Sequence, residues 1–118
     1  MADHLTDFFR AWGESDPDAQ GKALRAALAP GFTYVDPRVP GPIATEGELL
    51  DYVAAFTSGA PGWQARVLRH DAHHGFHRLL VGFGEGETIQ MHGTYFARLD
   101  DLGRIETLAG FRGDGAAA

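Results

Sequence analysis

The sequence predicts an α+β fold with one domain, because helix-type and strand-type patterns occupy separate halves of the chain. In the first half, apolar residues recur at helical spacing. In the second half, apolar and polar residues alternate between turn signals, which is typical of an antiparallel meander. A length of 118 residues fits one domain, predicted over 1–112, with a flexible tail at 113–118.

Three helices are predicted before the meander. The first has a single apolar stripe formed by Leu5, Phe8, Phe9 and Trp12. The second starts at Asp16 as N-cap with Pro17 in the first helical position, and Pro30-Gly31 stops it. Thr45 and Glu48 match a capping box, so a third helix is expected to follow.

Five strands are predicted, at 32–36, 63–67, 76–83, 88–99 and 104–111. Tight turns are expected at 73–75, 84–87 and 100–103. The helices can cover one face of such a sheet, and a strongly curved sheet leaves a pocket between the two layers. Bulges or bends that would curve the sheet are expected at Gly82, Gly84 and Gly93.

Composition excludes several function classes. The net charge is −6 and the basic residues are scattered singly, which argues against nucleic acid as a partner. The absence of cysteine removes thiol nucleophiles and disulfides. No apolar stretch approaches the roughly 20 residues that span a bilayer, and the N-terminus lacks a signal-peptide layout. We therefore expect a cytoplasmic protein without a membrane partner.

No cofactor or metal is predicted. The run Gly84-Glu85-Gly86-Glu87 has no lysine and no helix after it, so it is not a phosphate-binding loop. Six histidines are present, but none forms a helical pair of metal ligands, and His73 and His74 point to opposite faces of an extended chain. His92 faces either the pocket or a dimer interface, because a one-residue slip in register exchanges these positions.

Asp36 is the main candidate for acid/base chemistry. It ends an apolar strand, and Pro37 keeps it out of the helical region of backbone conformation. A carboxyl group held at the wall of an apolar pocket can take a proton from an acidic C–H group or from water. The structural alternative is that Asp36 orders the following loop by accepting backbone hydrogen bonds.

Tyr95 is the second candidate. Strand alternation places it on one face with Met91, Gly93 and Ala97. If that face is internal, the Tyr95 hydroxyl can polarise a carbonyl oxygen of a ligand. The alternative is a buried tyrosine that bonds only to a neighbouring residue.

Several segments together resemble the nuclear transport factor 2-like superfamily, in its SnoaL-like polyketide cyclase and ketosteroid isomerase-like branch. The matching segments, in chain order, are 12–16, 28–37, 45–56, 73–78 and 101–111. The resemblance implies a cone-shaped, cystatin-like fold in which a curved mixed or antiparallel sheet wraps around helices and encloses an apolar pocket. It also implies a homodimer that packs through the sheet face.

The resemblance assigns residues unevenly. Asp36 falls at the position of the proton-shuttling carboxylate of ketosteroid isomerases, an enzyme whose oxyanion hole combines a tyrosine with a protonated aspartate. Those two positions are occupied here by Phe8 and Tyr95, so steroid isomerisation is not expected. The residues expected to line the pocket are Phe8, Trp12, Phe32, Tyr34, Val53, Trp63 and Phe111.

Two functions remain open at this point. The first is a cofactor-independent isomerase, cyclase or lyase that acts on a small, mostly apolar carbonyl compound, with Asp36 as acid/base and Tyr95 as hydrogen-bond donor. The second is a non-catalytic ligand-binding or dimerisation module on the same fold. The presence of Phe8 at the position of the oxyanion-hole tyrosine favours this second function.

Overall fold

A computed structural model describes residues 4–115. Its helices are α1 (His4–Arg10), a 3₁₀ turn (Ala11–Gly13), α2 (Pro17–Ala27) and α3 (Glu46–Gly59). Its strands are β1 (Leu28–Val35), β2 (Trp63–His73), β3 (Phe76–Glu85), β4 (Met91–Leu99) and β5 (Ile105–Arg112). The α+β class is confirmed.

The sheet is mixed, with strand order β1-β5-β4-β3-β2. Strands β2 to β5 form an antiparallel meander, whereas β1 pairs with β5 in parallel. The pairing is irregular between Leu28 and Thr33, between Val67 and Arg69, and between Arg98 and Leu99. The irregularities therefore do not lie at the three glycines expected from the sequence.

The start of β1 differs from the sequence expectation. The second helix ends at Ala27 and the strand begins at Leu28, four residues earlier than predicted. The sequence pattern predicts that Pro30 stops the helix, but Pro30 lies within the strand. The strand tolerates it because β1 is at the edge of the sheet and Pro30 is exposed, so its missing N–H costs no ladder bond.

The β3–β4 connection also differs from the prediction. Strand β3 continues to Glu85, and β4 begins only at Met91. The connecting residues fold back over β3, where the Gln90 amide donates to the Phe83 carbonyl at 2.8 Å. A Cβ on Gly84 would lie 1.7 Å from the Thr88 carbonyl oxygen, so this approach requires glycine.

The remaining turn and cap predictions agree with the structure. The Thr45 hydroxyl accepts the Glu48 amide at 3.3 Å and caps α3, and the Asp16 carboxylate accepts the Ala19 amide and caps α2. His74 and Gly75 both have positive φ and form a two-residue hairpin turn. These elements follow from local chemistry, which explains why the sequence predicts them.

The core lies between the helices and the inner face of the sheet. Alternation along β4 places Tyr95 and Ala97 inside, where both are 5% exposed, and leaves Phe96 on the outer face. Among the described residues, four further large apolar side chains are also exposed, Leu68, Phe76, Leu102 and Phe111. The segment directly after β5 is tied to β4, because the Gly113 amide donates to the His92 carbonyl at 2.9 Å.

The expected flexible tail is described only in part, because 116–118 lie outside the described residues. Among residues 4–115, no helix combines the length and the apolar character required to cross a bilayer.

Gln20 is a buried polar residue that joins the helices. Its Nε2 lies 3.0 Å from the Ala11 carbonyl, 3.3 Å from the Glu14 carbonyl and 2.8 Å from the Thr57 hydroxyl. Thr57 in turn donates to carbonyl oxygens at Trp12 and Val53. The 3₁₀ turn that carries Trp12 is thus held against both α2 and α3.

We expect Gln20→Leu to lower the free energy of unfolding by about 1–3 kcal/mol, because it removes the buried side-chain hydrogen bonds that join the helices at nearly constant volume. Urea denaturation followed by far-UV circular dichroism measures the loss. Gln90→Leu, at an exposed position, is the matched control and should change stability by about 0.5 kcal/mol or less. Equal effects of the two substitutions would contradict the role of Gln20.

Candidate active site

A cavity opens between the helices and the inner face of β3, β4 and β5. Its empty volume, including the open mouth, is about 460 Å³, and the centres of water-sized molecules can occupy about 40 Å³ of it. The bordering residues are Trp12, Asp36, Pro37, Arg38, Tyr52, Phe56, Phe83, Met91, His92, Gly93, Tyr95, Gly110, Phe111 and Arg112. Aromatic side chains predominate, and the polar groups converge near Asp36, which is typical of small-molecule sites.

The Asp36 carboxylate accepts four hydrogen bonds. Oδ2 accepts the hydroxyl of Tyr34 at 2.6 Å and that of Tyr52 at 2.5 Å. Oδ1 accepts the backbone amides of Arg38 at 2.8 Å and of Val39 at 3.2 Å. A carboxylate offers about four lone-pair directions, so each of them has a donor in this structure.

The position of Asp36 follows from the strand before it. Tyr34 and Ile43 exchange two backbone hydrogen bonds of 2.8 Å, which closes the loop between them. Pro37 restricts Asp36 to extended backbone at the point where the chain leaves β1. The loop therefore projects the carboxylate toward the cavity rather than along the sheet.

Tyr52 reaches Asp36 from α3. It follows Leu49 by three residues and precedes Phe56 by four, so it shares the inward face of this helix. Its ring packs edge-on against Trp12, with ring centroids 6.0 Å apart. Tyr52 is half-buried and borders the cavity, whereas Tyr34 is 1% exposed and does not border it.

Tyr95 lies over two glycines. A Cβ on Gly110 would approach the Tyr95 ring to 2.5 Å, and a Cβ on Gly93 would approach it to 3.0 Å. These positions leave room for the ring against the backbone of β4 and β5. Burial raises the pKa of Tyr95 to about 12, with its hydrogen bond to Tyr34 acting in the opposite direction. Its hydroxyl is therefore a neutral donor at physiological pH.

The other two tyrosines also resist ionisation. Burial raises the pKa of Tyr34 far above its ordinary value of 10.0, and the nearby Tyr95 and Asp36 add to this shift. Burial also raises the pKa of Tyr52, and its hydrogen bond to Asp36 strengthens the effect. All three tyrosines of the chain therefore belong to one hydrogen-bonding and electrostatic cluster around Asp36.

Trp12 presents a buried donor without a partner. The residue is 2% exposed, and its indole Nε1–H has no hydrogen-bond acceptor among residues 4–115. A buried polar group left in this state costs about 1–3 kcal/mol. Because Trp12 borders the cavity, an acceptor atom of a ligand can remove this cost.

The structure places the sequence-predicted site residues in three settings. Asp36, Tyr95 and Trp12 border the cavity. Phe111 also borders it, but its side chain is exposed on the outer face of the sheet beside Phe96. Three other expected pocket residues do not border it but lie in the core, Phe8, Phe32 and Val53. Sequence reasoning cannot separate these settings, because a pocket wall and a core both select apolar side chains.

Two further expected pocket residues contribute indirectly. Trp63 is half-buried and packs against Phe56, with ring centroids 6.5 Å apart. Tyr34 lies behind the wall and bonds Asp36. His92, for which two positions were open, borders the cavity near its mouth.

Sequence reasoning missed several bordering residues, above all Tyr52 and Arg38. The signal for Tyr52 was its spacing from Leu49 and Phe56, which places it on the buried stripe of α3. Arg38 had no such signal, because the loop that carries it has no periodicity. Within the described part of the chain, no three His, Asp or Glu side chains converge in a way that could hold a metal ion.

The search against protein-family models found no match, and no curated protein matches the chain. Solved structures do match. An isomerase candidate of the SnoaL-like family from Agrobacterium tumefaciens is 25% identical with a TM-score of 0.80, covering 95% of this chain and 98% of that one. The fold resemblance inferred from the sequence is confirmed.

Two more distant structures show the same fold. A polyketide cyclase candidate from Sinorhizobium meliloti is 21% identical with a TM-score of 0.71, covering 93% of this chain and 94% of that one. A ketosteroid isomerase candidate from Kribbella flavida is 19% identical with a TM-score of 0.68, covering 98% of this chain and 78% of that one.

The tyrosine cluster predicts an alkaline limit to stability. A tyrosine whose pKa is raised by folding contributes to the free energy of unfolding. This contribution is complete below the unfolded pKa near 10 and is lost as the pH rises through the folded pKa. For Tyr95 the window is therefore about pH 10 to 12, with a slope of up to about 1.4 kcal/mol per pH unit. Urea denaturation at stepped pH measures the loss.

Tyrosinate absorbance near 295 nm gives a second readout, because no tyrosine lies outside the cluster. We expect the absorbance to appear only together with loss of circular dichroism. Tyr34→Phe should reduce the slope of the free energy of unfolding against pH by the contribution of one tyrosine, up to about 1.4 kcal/mol per pH unit. A tyrosine that ionises near pH 10 in the folded protein would contradict the buried cluster.

Proposed function

We propose that this chain, a SnoaL-like member of the nuclear transport factor 2-like superfamily, is a cofactor-independent enzyme that moves a proton on a small, mostly apolar carbonyl compound. The observation that carries the proposal is the Asp36 carboxylate at the wall of an aromatic cavity that Tyr95 also borders. Isomerase, cyclase and lyase reactions share this first step. The names of the similar structures support the same class.

The proton transfer begins with a change at Oδ2. Because all four lone-pair directions of Asp36 have donors, one hydroxyl must leave before the carboxylate can accept a proton from carbon. Tyr52 is the hydroxyl that leaves, since it is half-buried and borders the cavity, whereas Tyr34 is enclosed. The substrate enters beside Tyr52 and takes its place at Oδ2.

The chemistry then needs only groups of this chain. The C–H bond next to the substrate carbonyl breaks, the proton passes to Oδ2 of Asp36, and the electron pair moves onto the carbonyl oxygen as an enolate. The neutral Tyr95 hydroxyl donates a hydrogen bond to that oxygen. Asp36 then returns the proton to another carbon in an isomerisation, or the enolate expels a leaving group in a lyase reaction.

The alternative is a non-catalytic ligand-binding module. The hydrogen bonds to Asp36 favour this alternative. Two of the four come from the Arg38 and Val39 amides and order the loop, as expected for an aspartate with a structural role. In that case the cavity binds a ligand, but Asp36 never takes up a proton.

Exchange of carbon-bound protons for deuterium separates the two functions without knowledge of the natural substrate. In D₂O, we expect the wild-type protein to accelerate the exchange of the protons next to the ketone group of 4-oxopentanoate methyl ester. Proton NMR measures the exchange. Asp36→Asn should lower the protein-catalysed rate by about 10²–10⁴-fold, the usual contribution of a positioned base.

Asp51→Asn is the matched control, because it changes an exposed carboxylate on the same helix as Tyr52. Ligand should raise the melting temperature of wild type and Asp36→Asn alike, since binding to the native state stabilises both. Equal exchange rates in wild type and Asp36→Asn would overturn the catalytic role and leave the binding module.

We further propose that two copies of the chain pair through the outer face of the sheet. Phe96 and Phe111 are 47% and 56% exposed there, and their ring centroids are 5.8 Å apart. Phe76 is also exposed, with the Arg98 guanidinium 4.6 Å from its ring centroid. Desolvation of such an aromatic patch favours association.

The dimer is tested by sedimentation at several protein concentrations. Wild type should sediment as a dimer, and Phe96→Glu should shift it to the monomer because a charge is buried at the interface. Leu102→Glu, at an exposed apolar residue in the β4–β5 turn, is the control and should leave the dimer intact. A wild-type protein that remains monomeric at about 100 μM would overturn the proposal.

A further inference from the structure

We propose that the ligand of the cavity is a small oxo acid, with its keto oxygen at the inner end near Trp12 and Tyr95 and its carboxylate at the outer end near Arg38 and Arg112. The inference names the ligand class of the proposed function and rests on it for the site. Two observations carry it, the charge of the cavity border and the unpartnered indole donor.

The cavity border is positive although the protein is acidic. It contains Arg38 and Arg112 but only one carboxylate, that of Asp36, so its formal charge is +1 with His92 neutral. The whole chain has a net charge of −6. Asp36 also has its four lone-pair directions occupied by donors, whereas both arginines are exposed at the cavity mouth. An incoming anion therefore meets a local positive field.

Arg38 is held where its charge reaches the interior. It lies on the loop after Asp36, and its Nη2 contacts the Met91 sulfur on β4 at 3.6 Å. Although burial dominates the pKa of both Tyr52 and Tyr95, the Arg38 charge opposes the shift at each of them. Arg38 takes part in none of the ion pairs formed among residues 4–115, which use Arg10, Arg78, Arg98 and Arg104.

A neutral donor lies next to the inner end of the cavity. The Trp12 indole N–H is buried without an acceptor among residues 4–115, and Trp12 is one of the residues that border the cavity. A keto oxygen matches this group because it accepts a hydrogen bond without bringing a charge into an apolar site. The limited room for water-sized molecules favours a small ligand.

The test compares 4-oxopentanoate with its methyl ester, which keeps the ketone and removes the charge. Binding is followed by ¹⁵N–¹H NMR at low salt, where the chain has only two indole signals, Trp12 and Trp63. Trp63→Phe assigns them. We expect the acid to bind at least about tenfold more tightly than the ester and to shift the Trp12 indole signal in particular.

Substitutions at the mouth locate the charge recognition. The double variant Arg38→Gln with Arg112→Gln should bind acid and ester with equal affinity. Arg69→Gln is the control for each arginine, since it removes one positive charge from an exposed site on β2 that does not border the cavity, and it should retain the preference for the acid. Added salt should weaken binding of the acid and not of the ester.

Each result of these titrations tests one part of the proposal. Equal affinities in wild type, or no saturation by the acid up to about 10 mM, would overturn the oxo acid as ligand. Acid binding that leaves the Trp12 indole signal unmoved would overturn the inner contact. The same titrations on Asp36→Asn keep the proposals apart, because acid preference without proton exchange refutes only catalysis, and proton exchange without acid preference refutes only this inference.

Discussion

The Asp36 carboxylate joins three separate parts of the chain. Through Tyr34 it holds the end of β1, through the Arg38 and Val39 amides it orders the following loop, and through Tyr52 it fixes the inner face of α3. Hydrogen bonds to a charged acceptor are stronger than neutral ones. The wall of the cavity formed by the end of β1, the loop after it and α3 is therefore a polar network, and its geometry depends on Asp36.

The opposite wall is built by packing instead. Trp12, Phe56 and Phe83 meet edge-on or tilted, with ring centroids between 5.1 and 6.0 Å apart, and Tyr95 lies beside them over Gly110. Such aromatic contacts are close-packed, so this wall is shaped by the fit of its rings rather than by polar bonds. The aromatic wall determines the shape of the site. The hydrogen-bond network around Asp36, from which one hydroxyl can leave, provides its reactive group.

The sequence predicts elements that depend on local chemistry and misses those that depend on distant pairing. The α3 cap at Thr45 and the hairpin at His74-Gly75 are local, so their residue types are sufficient to identify them. The strand segment at Leu28 was missed, because a strand at that point is stabilised by its parallel partner β5 and not by its own pattern. The Tyr52–Asp36 bond joins a helix to a loop, and no sequence spacing encodes it.

The parallel pairing of β1 with β5 has a consequence for the order of folding. It joins Thr33 to Thr107, more than half the chain apart, whereas β2 to β5 pair with their neighbours through short connections. Contacts that close long loops lose more chain entropy and form later than local ones. The meander is therefore expected to assemble before the edge strand docks, and the Asp36 network is expected to be completed after it. The site is thus expected to exchange its amide protons faster than the meander does.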